Sequence, residues 1–134
     1  MEFALVVPIL LLIVFGIIAY GVWFAQDLAL GNSARQAARY GVVDGRTCAD
    51  LITEARDSAD TLAMDGDNVT VSVSVGTGGG TSVCSAPSAV QPCKDSALGD
   101  NVYVEMHFDH DALVPLIPVP DEVEGKGVFR CEFS

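Results

Sequence analysis

Residues 3–25 read FALVVPILLLIVFGIIAYGVWFA and contain no charged side chain, and a single acid, Glu2, precedes them. An apolar run of this length can cross a bilayer as one helix, which takes ~20 residues. No basic residue lies ahead of the run, which is unusual for an ordinary membrane anchor. We therefore expect residues 1–26 to form an apolar N-terminal helix.

The apolar run continues without a proline or a turn cluster into DLALGNSARQAARYGVV, residues 27–43. Small and apolar residues recur here at helical spacing with polar residues between them, which is typical of an amphipathic helix. We predict a single helix from about Phe3 to about Val43, roughly 60 Å long. Its first half is apolar on every side, and its second half carries a narrow alanine-rich face suited to close packing.

Residues 27–134 are predicted to comprise the rest of this helix and an α+β head. Asp44-Gly45 breaks the long helix, and Thr47 with Asp50 resembles a capping box that opens a second, short helix. Alternation with a period of two then predicts strands at residues 69–75 and 102–109. A last short strand would place Phe129, Cys131 and Phe133 on one face. The expected head is the short helix packed on a small three-stranded antiparallel sheet.

The chain contains four cysteines and no C-x-x-C pair, so the spacing typical of a zinc ribbon is absent. An even number of cysteines in a small domain behind an apolar segment predicts two disulfides in an oxidising compartment. Cys84 and Cys93 bracket a short loop that contains proline and serine, so we expect them to pair. This pairing leaves Cys48 with Cys131.

The charge of the chain excludes one class of partner. With 18 acidic and 7 basic residues among 134, the formal net charge is −11, whereas phosphate backbones require clustered Lys and Arg. We therefore expect no direct nucleic-acid site, and the acidity is typical of a soluble surface.

The bases and the cysteines predict opposite orientations in a membrane. The bases nearest the apolar run, Arg35 and Arg39, follow it and would place the head inside the cell by the positive-inside rule, whereas disulfides require the outside. A basic leader, cut off ahead of the apolar run, would resolve the conflict. A secretory signal peptide would have been removed together with its apolar region, which is retained here.

Few residues of the head carry chemistry. The run His107-Phe108-Asp109-His110-Asp111 contains metal-ligand types, but alternate residues of a strand face opposite sides. We predict a solvated strand end there and no metal site. No nucleophile is placed beside a base by a motif, and no glycine-rich phosphate loop follows a strand, so we expect neither catalysis nor a cofactor.

The segment LVPLIPVP, residues 113–120, combines apolar residues with prolines that prevent regular strand pairing. Exposed apolar groups of this size mark interfaces, so Leu113, Leu116 and Ile117 are candidates for a contact between heads or with a surface. The alternative is that the segment folds back and covers the core of its own head.

The sequence resembles the TadE-like pilins and pseudopilins of the tight-adherence branch of type IV pili. The resemblance lies in EFALVVPILLLIVFGIIAYG at residues 2–21, which opens with the pair Glu2-Phe3, and in SARQAARYG at residues 33–41. The order of a long helix followed by a short helix and strands is similar as well.

The resemblance implies a structural role and no enzymatic activity. A precursor in the cytoplasmic membrane would be cut by a prepilin peptidase, and the pilus assembly machinery would pack the product into a helical homo-oligomer at the cell surface. In that filament Glu2 would pair with the α-amino group of a neighbouring subunit, because an unpaired carboxylate in hydrocarbon costs several kcal/mol. The alternative is that Glu2 lies in the headgroup region and caps the helix N-terminus.

Four residues of the apolar run are further candidates for assembly: Phe3, Pro8, Gly16 and Gly21. Gly16 and Gly21 would let helices approach closely, and Pro8 removes one helical hydrogen bond. Two alternatives stay open: a minor pseudopilin that primes a filament of another subunit, and a single-pass anchored domain that binds outside the cell and never polymerises.

Overall fold

The computed structural model describes residues 3–60, 64–97, 99–111 and 117–132, and the side chains among them from residue 6 onward. A single helix, α1 (Phe3–Gly41), spans 39 residues and is about 58 Å long at the usual helical rise. The predicted helix to about Val43 is thus confirmed to within two residues. The chain leaves α1 through Asp44-Gly45, where Gly45 adopts a φ of 80°, a conformation that glycine accepts readily.

A second helix, α2 (Cys48–Ala59), begins at the predicted capping box. The Thr47 hydroxyl accepts a hydrogen bond from the Asp50 amide at 3.2 Å, and the Asp50 carboxylate accepts one from the Thr47 amide at 3.0 Å. These bonds satisfy two backbone donors that a helix N-terminus otherwise leaves free. Leu51, Ile52 and Ala55 form the buried face of α2, and a 3-10 turn (Gly66–Asn68) follows.

The capping box predicts acid sensitivity. The backbone hydrogen bond from Thr47 holds the pKa of Asp50 below its usual value of 3.8. Because the pKa is lower in the folded than in the unfolded state, the stabilisation exists above 3.8 and disappears as the pH falls through the folded value. We expect the melting temperature of the full chain in detergent to fall more between about pH 6 and pH 3 than that of Asp50→Asn. If the melting temperatures of the wild type and of Asp50→Asn fall in parallel with pH, the capping box does not contribute to the acid sensitivity of the fold.

The head contains a four-stranded antiparallel sheet, so the expectation of three strands was wrong. The strands are β1 (Thr70–Gly76), β2 (Thr81–Cys84), β3 (Asn101–Asp109) and β4 (Glu122–Arg130), in the spatial order β2-β1-β3-β4. The strands predicted from alternation at residues 69–75 and 102–109 correspond to β1 and β3. The unpredicted strand, β2, has four residues and follows a run of glycines, so it offers almost no periodic signal.

The last strand also differs from its prediction. β4 begins at Glu122, and its inward positions are occupied by Val123, Gly125 and Gly127. Phe129 is 39% exposed, so the expected face of Phe129, Cys131 and Phe133 does not form; Phe133 itself lies outside the described residues. The reason is that two of the three buried positions are glycines, so the sequence of this strand does not show an alternation of large apolar and polar residues.

These two glycines allow α1 to lie directly on β4. A Cβ atom at Gly125 would lie 2.5 Å from the carbonyl oxygen of Leu30, and one at Gly127 would be closer than 3.0 Å to that of Ala34. Real Cβ atoms do not approach carbonyl oxygens so closely. Leu30 and Ala34 are fully buried in this contact, together with Ala37 and Ala38 further along α1. The predicted alanine-rich face of α1 is therefore the face that packs on the sheet.

Both disulfides form, but the expected pairing was wrong. Cys48 is bonded to Cys84 and Cys93 to Cys131, with Cα–Cα distances of 5.6 and 5.7 Å. The loop between Cys84 and Cys93 does not close on itself because its two ends are held at different places. A short bracketed loop is therefore a poor guide to pairing in this chain.

A backbone hydrogen bond accompanies each of the two bridges. At the first turn of α2, the Cys48 amide donates to the Val90 carbonyl at 2.7 Å, close to the Cys48–Cys84 bridge. Just beyond β4, the Cys131 amide donates to the Asp100 carbonyl at 2.8 Å, close to the Cys93–Cys131 bridge. One bridge thus ties β2 to α2, and the other ties the end of the loop to the end of β4.

Candidate functional site

The largest feature left uncovered by the fold is the apolar half of α1, residues 6–18. Its large apolar side chains are between 41% and 69% exposed, whereas those of the head core are at most 9% exposed. The members are Val6, Val7, Ile9, Leu10, Leu11, Leu12, Ile13, Val14, Phe15, Ile17 and Ile18. A continuous apolar surface of this kind needs a partner, because monomeric soluble proteins rarely expose one.

The same surface meets the requirements of a membrane span. The helix is long and apolar enough to cross a membrane by length and composition, with a mean hydropathy of 2.6 and only 6% of the apolar window buried. A core helix of a soluble protein would be mostly buried instead. Gln26 is the first polar residue of α1 that is buried, and the division at residue 26 stays a prediction.

The predicted assembly residues occupy this surface as far as the structure describes them. α1 continues through Pro8, which is exposed. A Cβ atom at Gly16 or Gly21 would meet nothing within 4 Å, so neither glycine is needed for packing within the chain. Glu2 and the Phe3 side chain lie outside the described residues, and their roles stay predictions.

The head contacts α1 at the point where the apolar half ends. Ala19 is 2% exposed, and the Tyr20 hydroxyl donates to the Pro118 carbonyl at 2.7 Å. His110, just after β3, is buried against Gln26 through a hydrogen bond between the His110 Nδ1 and the Gln26 Oε1. These contacts fix which part of α1 belongs to the head and which part projects from it.

The described part of the proline-containing segment also lies along α1. Ile117 and Pro118 line an open apolar hollow of about 760 Å³ together with helix residues between Pro8 and Tyr20, and Val119 is buried. Residues 117–119 thus lie against α1 of their own chain. Leu113 and Leu116 lie outside the described residues, so the predicted head contact stays a prediction.

The outer face of the sheet carries a chain of ionic contacts. His107 Nδ1 lies 2.8 Å from Glu122 Oε1, and Lys126 Nζ lies 2.7 Å from Glu124 Oε1 and 3.6 Å from Glu105 Oε1. The hydrogen bond between Lys126 and Glu124 lowers the pKa of the carboxyl and raises that of the ammonium group. Such exposed pairs contribute little to stability and indicate a solvated surface.

The histidine-containing run divides between this surface and the interior. His107 belongs to the ionic chain, whereas His110 is 6% exposed, so the prediction of a solvated strand end was wrong for His110. Across the described ranges, no three His, Cys, Asp or Glu residues are grouped to hold a metal ion.

Sequence reasoning missed the junction residues Gln26 and His110 and the inward glycines of β4. Gln26 carried a weak signal, since it is the first polar residue after the apolar run. Gly125 and Gly127 were visible as the alternation EGKG, but glycine in a strand indicates a close backbone approach only when the opposing element is known.

Residues 1–39 match the family model described as TadE-like protein. This match confirms the resemblance inferred from residues 2–21 and 33–41, and it coincides with α1 almost from end to end. No curated protein and no solved structure matches the chain. The match associates this part of the chain with a pilus-related structural family.

Proposed function

We propose, on the premise of this match, that the chain is the structural subunit of an extracellular pilus filament of the tight-adherence type. The observation that supports the proposal most is the apolar half of α1, which projects from a folded, disulfide-bonded head with its large apolar side chains exposed. In a filament, these helices would bundle into a hydrophobic core, and the heads would form the outer surface. Adhesion to surfaces is the role that such a filament would serve.

The same helix would have two successive environments. Before assembly it would span the cytoplasmic membrane, where lipid tails cover its apolar side chains. After cleavage by a prepilin peptidase, the assembly machinery would move it into the filament, where helices of neighbouring copies replace the lipid. Between two apolar environments the hydrophobic effect changes little, so close packing and pairing of polar groups would favour the filament. The open space beside Gly16 and Gly21 suits such packing.

The disulfides support a head on the outer side of the membrane, because they persist in oxidising compartments. A head carrying most of the net charge of −11 would remain soluble there.

Glu2 is proposed to pair with an amino group of a neighbouring copy inside the apolar core. We expect Glu2→Gln to reduce the yield of filaments about tenfold or more, because removal of one partner leaves a buried charge unpaired. The melting temperature of the head should not change. Filaments sedimented from cells would be compared with membrane-bound chain by immunoblotting, and Glu132→Gln, an exposed acid of the head, is the matched control.

The results distinguish the rival functions. Wild-type yield from Glu2→Gln would exclude the pairing role of this residue. A filament that contains the chain only in trace amounts would identify a minor pseudopilin. Full-length chain that stays in the membrane, with no filament by electron microscopy, would identify an anchored binding domain.

A further inference from the structure

The head portion of α1 presents a second exposed face, and its first three residues, Leu28, Asn32 and Arg35, line a hollow of about 320 Å³ beside Glu124 and Lys126 of β4. Leu28, Asn32, Arg35, Arg39 and Val43 follow one another at spacings of three and four residues, so they lie along one side of the helix and its C-terminal end. All five are exposed, and the apolar pair at the two ends, Leu28 and Val43, is 52% and 50% exposed. We call these five residues the arginine face.

Among the described residues the arginine face forms no ion pair, although Asp27 and Glu124 line the same hollow as Arg35. Arg35 donates only to the Asn32 side chain, at 3.4 Å, and the ion pairs that the structure describes are formed by His107 and Lys126. Residues 28–43 contain no acidic residue, although the chain as a whole has 18 acids and 7 bases. Two unpaired guanidinium groups between exposed apolar residues form a surface that favours an acidic partner.

The head carries a surface of the complementary charge on other elements. Asp57 and Asp60 at the end of α2, with Asp65 and Asp67 at the 3-10 turn, surround a hollow of about 150 Å³. All four are exposed, and the one base that lines the hollow is Arg56. We call this surface the acidic hollow. It takes part in no ion pair within the described ranges of the chain.

We propose that the arginine face of one copy docks on the acidic hollow of a second copy. This inference rests on the proposed filament and names the contact between its heads. Because the two surfaces differ, the contact is head-to-tail, and a head-to-tail contact that does not close into a ring propagates as an open helical assembly. Leu28 and Val43 would be covered at the edges of the same contact, and the charges would set its register.

Charge reversal on each surface tests the proposal. The first variant is Arg35→Glu with Arg39→Glu, and the second is Asp57→Arg with Asp60→Arg. Each is purified as full chain in detergent, the detergent is removed, and the sedimented fraction is measured with electron microscopy of the pellet. We expect each variant alone to assemble about tenfold less than the wild type, because like charges then face each other.

The decisive sample is an equal mixture of the two variants. In the mixture every arginine face meets an acidic hollow, and every glutamate-bearing face meets an arginine-bearing hollow, so we expect alternating filaments at a yield near that of the wild type. Recovery in the mixture also shows that neither variant is misfolded. Asp109→Arg with Glu132→Arg changes the net charge by the same amount as the second variant, at exposed acids elsewhere, and it should assemble normally.

The failure of this inference differs from the failure of the proposed function. If wild type and both variants form filaments equally, or if the mixture assembles no better than either variant, the docking of these two surfaces is wrong and the filament stands. If the wild type forms no filaments, and neither charge reversal changes the energy transfer between labelled copies in nanodiscs, both the docking contact and the proposed filament are wrong. Energy transfer that each reversal abolishes and the mixture restores supports the contact even without filaments.

Discussion

Replacement of Gly127 by alanine is expected to lower the free energy of unfolding of the head by about 3 kcal/mol, near the upper end for an overpacked site. The added methyl group would overlap the carbonyl oxygen of Ala34, a backbone atom within α1. It cannot be accommodated by rotation of a side chain, so α1 and β4 must separate. Thermal unfolding of the full chain in detergent, followed by circular dichroism, measures the change.

Gly31→Ala is the matched control for this substitution. Gly31 lies on the opposing element, α1, and a Cβ atom there would meet nothing within 4 Å. Alanine favours a helix over glycine by about 0.5–1 kcal/mol, so this variant should be as stable as the wild type or more stable. Equal stability of Gly127→Ala and Gly31→Ala would show that the close approach of α1 to β4 does not exist in solution.

Removal of the Cys93–Cys131 bridge is expected to lower the free energy of unfolding by an amount similar to that of Gly127→Ala. The bridge joins residues 38 positions apart, and the chain-entropy model assigns about 4 kcal/mol to a loop of this length. The variant Cys93→Ser with Cys131→Ser should therefore melt at a much lower temperature than the wild type. It should also contain no free thiol, because Cys48 and Cys84 remain bonded to each other.

A second double variant makes the pairing itself testable. Cys84→Ser with Cys93→Ser removes one partner from each bridge, so it should expose two thiols per chain, those of Cys48 and Cys131. Under the pairing expected from the sequence, the same variant would contain none. Titration of thiols in denaturant without reductant separates the two outcomes, and a count near zero would overturn the observed connectivity.

The parts of the fold that sequence could predict are those whose signal is local. The continuous α1, the capping box of α2 and the alternation of β1 and β3 depend on spacing within one segment, and each was predicted correctly. The pairing of Cys84 and the shape of β4 depend on what lies opposite in space. The inward glycines of β4 are informative only beside Ala34, and Cys48 meets Cys84 only because α2 returns to the end of β2.

The same distinction between local signals and distant contacts applies to the candidate site. The apolar half of α1 was visible because a run of uncharged residues is a local property. Its limit at Ala19 was not visible, because contacts with the far end of the chain, Tyr20 with Pro118 and Gln26 with His110, determine it. Each of these contacts joins residues more than 80 positions apart, and no periodicity within one segment encodes them.

The two disulfides divide the covalent chain into two separate loops. Cys48–Cys84 lies wholly before the stretch 85–92, and Cys93–Cys131 lies wholly after it. A single protease cut in that stretch would therefore leave no covalent bond between the two fragments, although both bridges stay intact. The N-terminal fragment would retain α1, α2, β1 and β2, and the C-terminal fragment β3 and β4. After such a cut, the outer fragment would be joined to its anchor by noncovalent contacts alone, chiefly the pairing of β1 with β3 and the packing of α1 on β4.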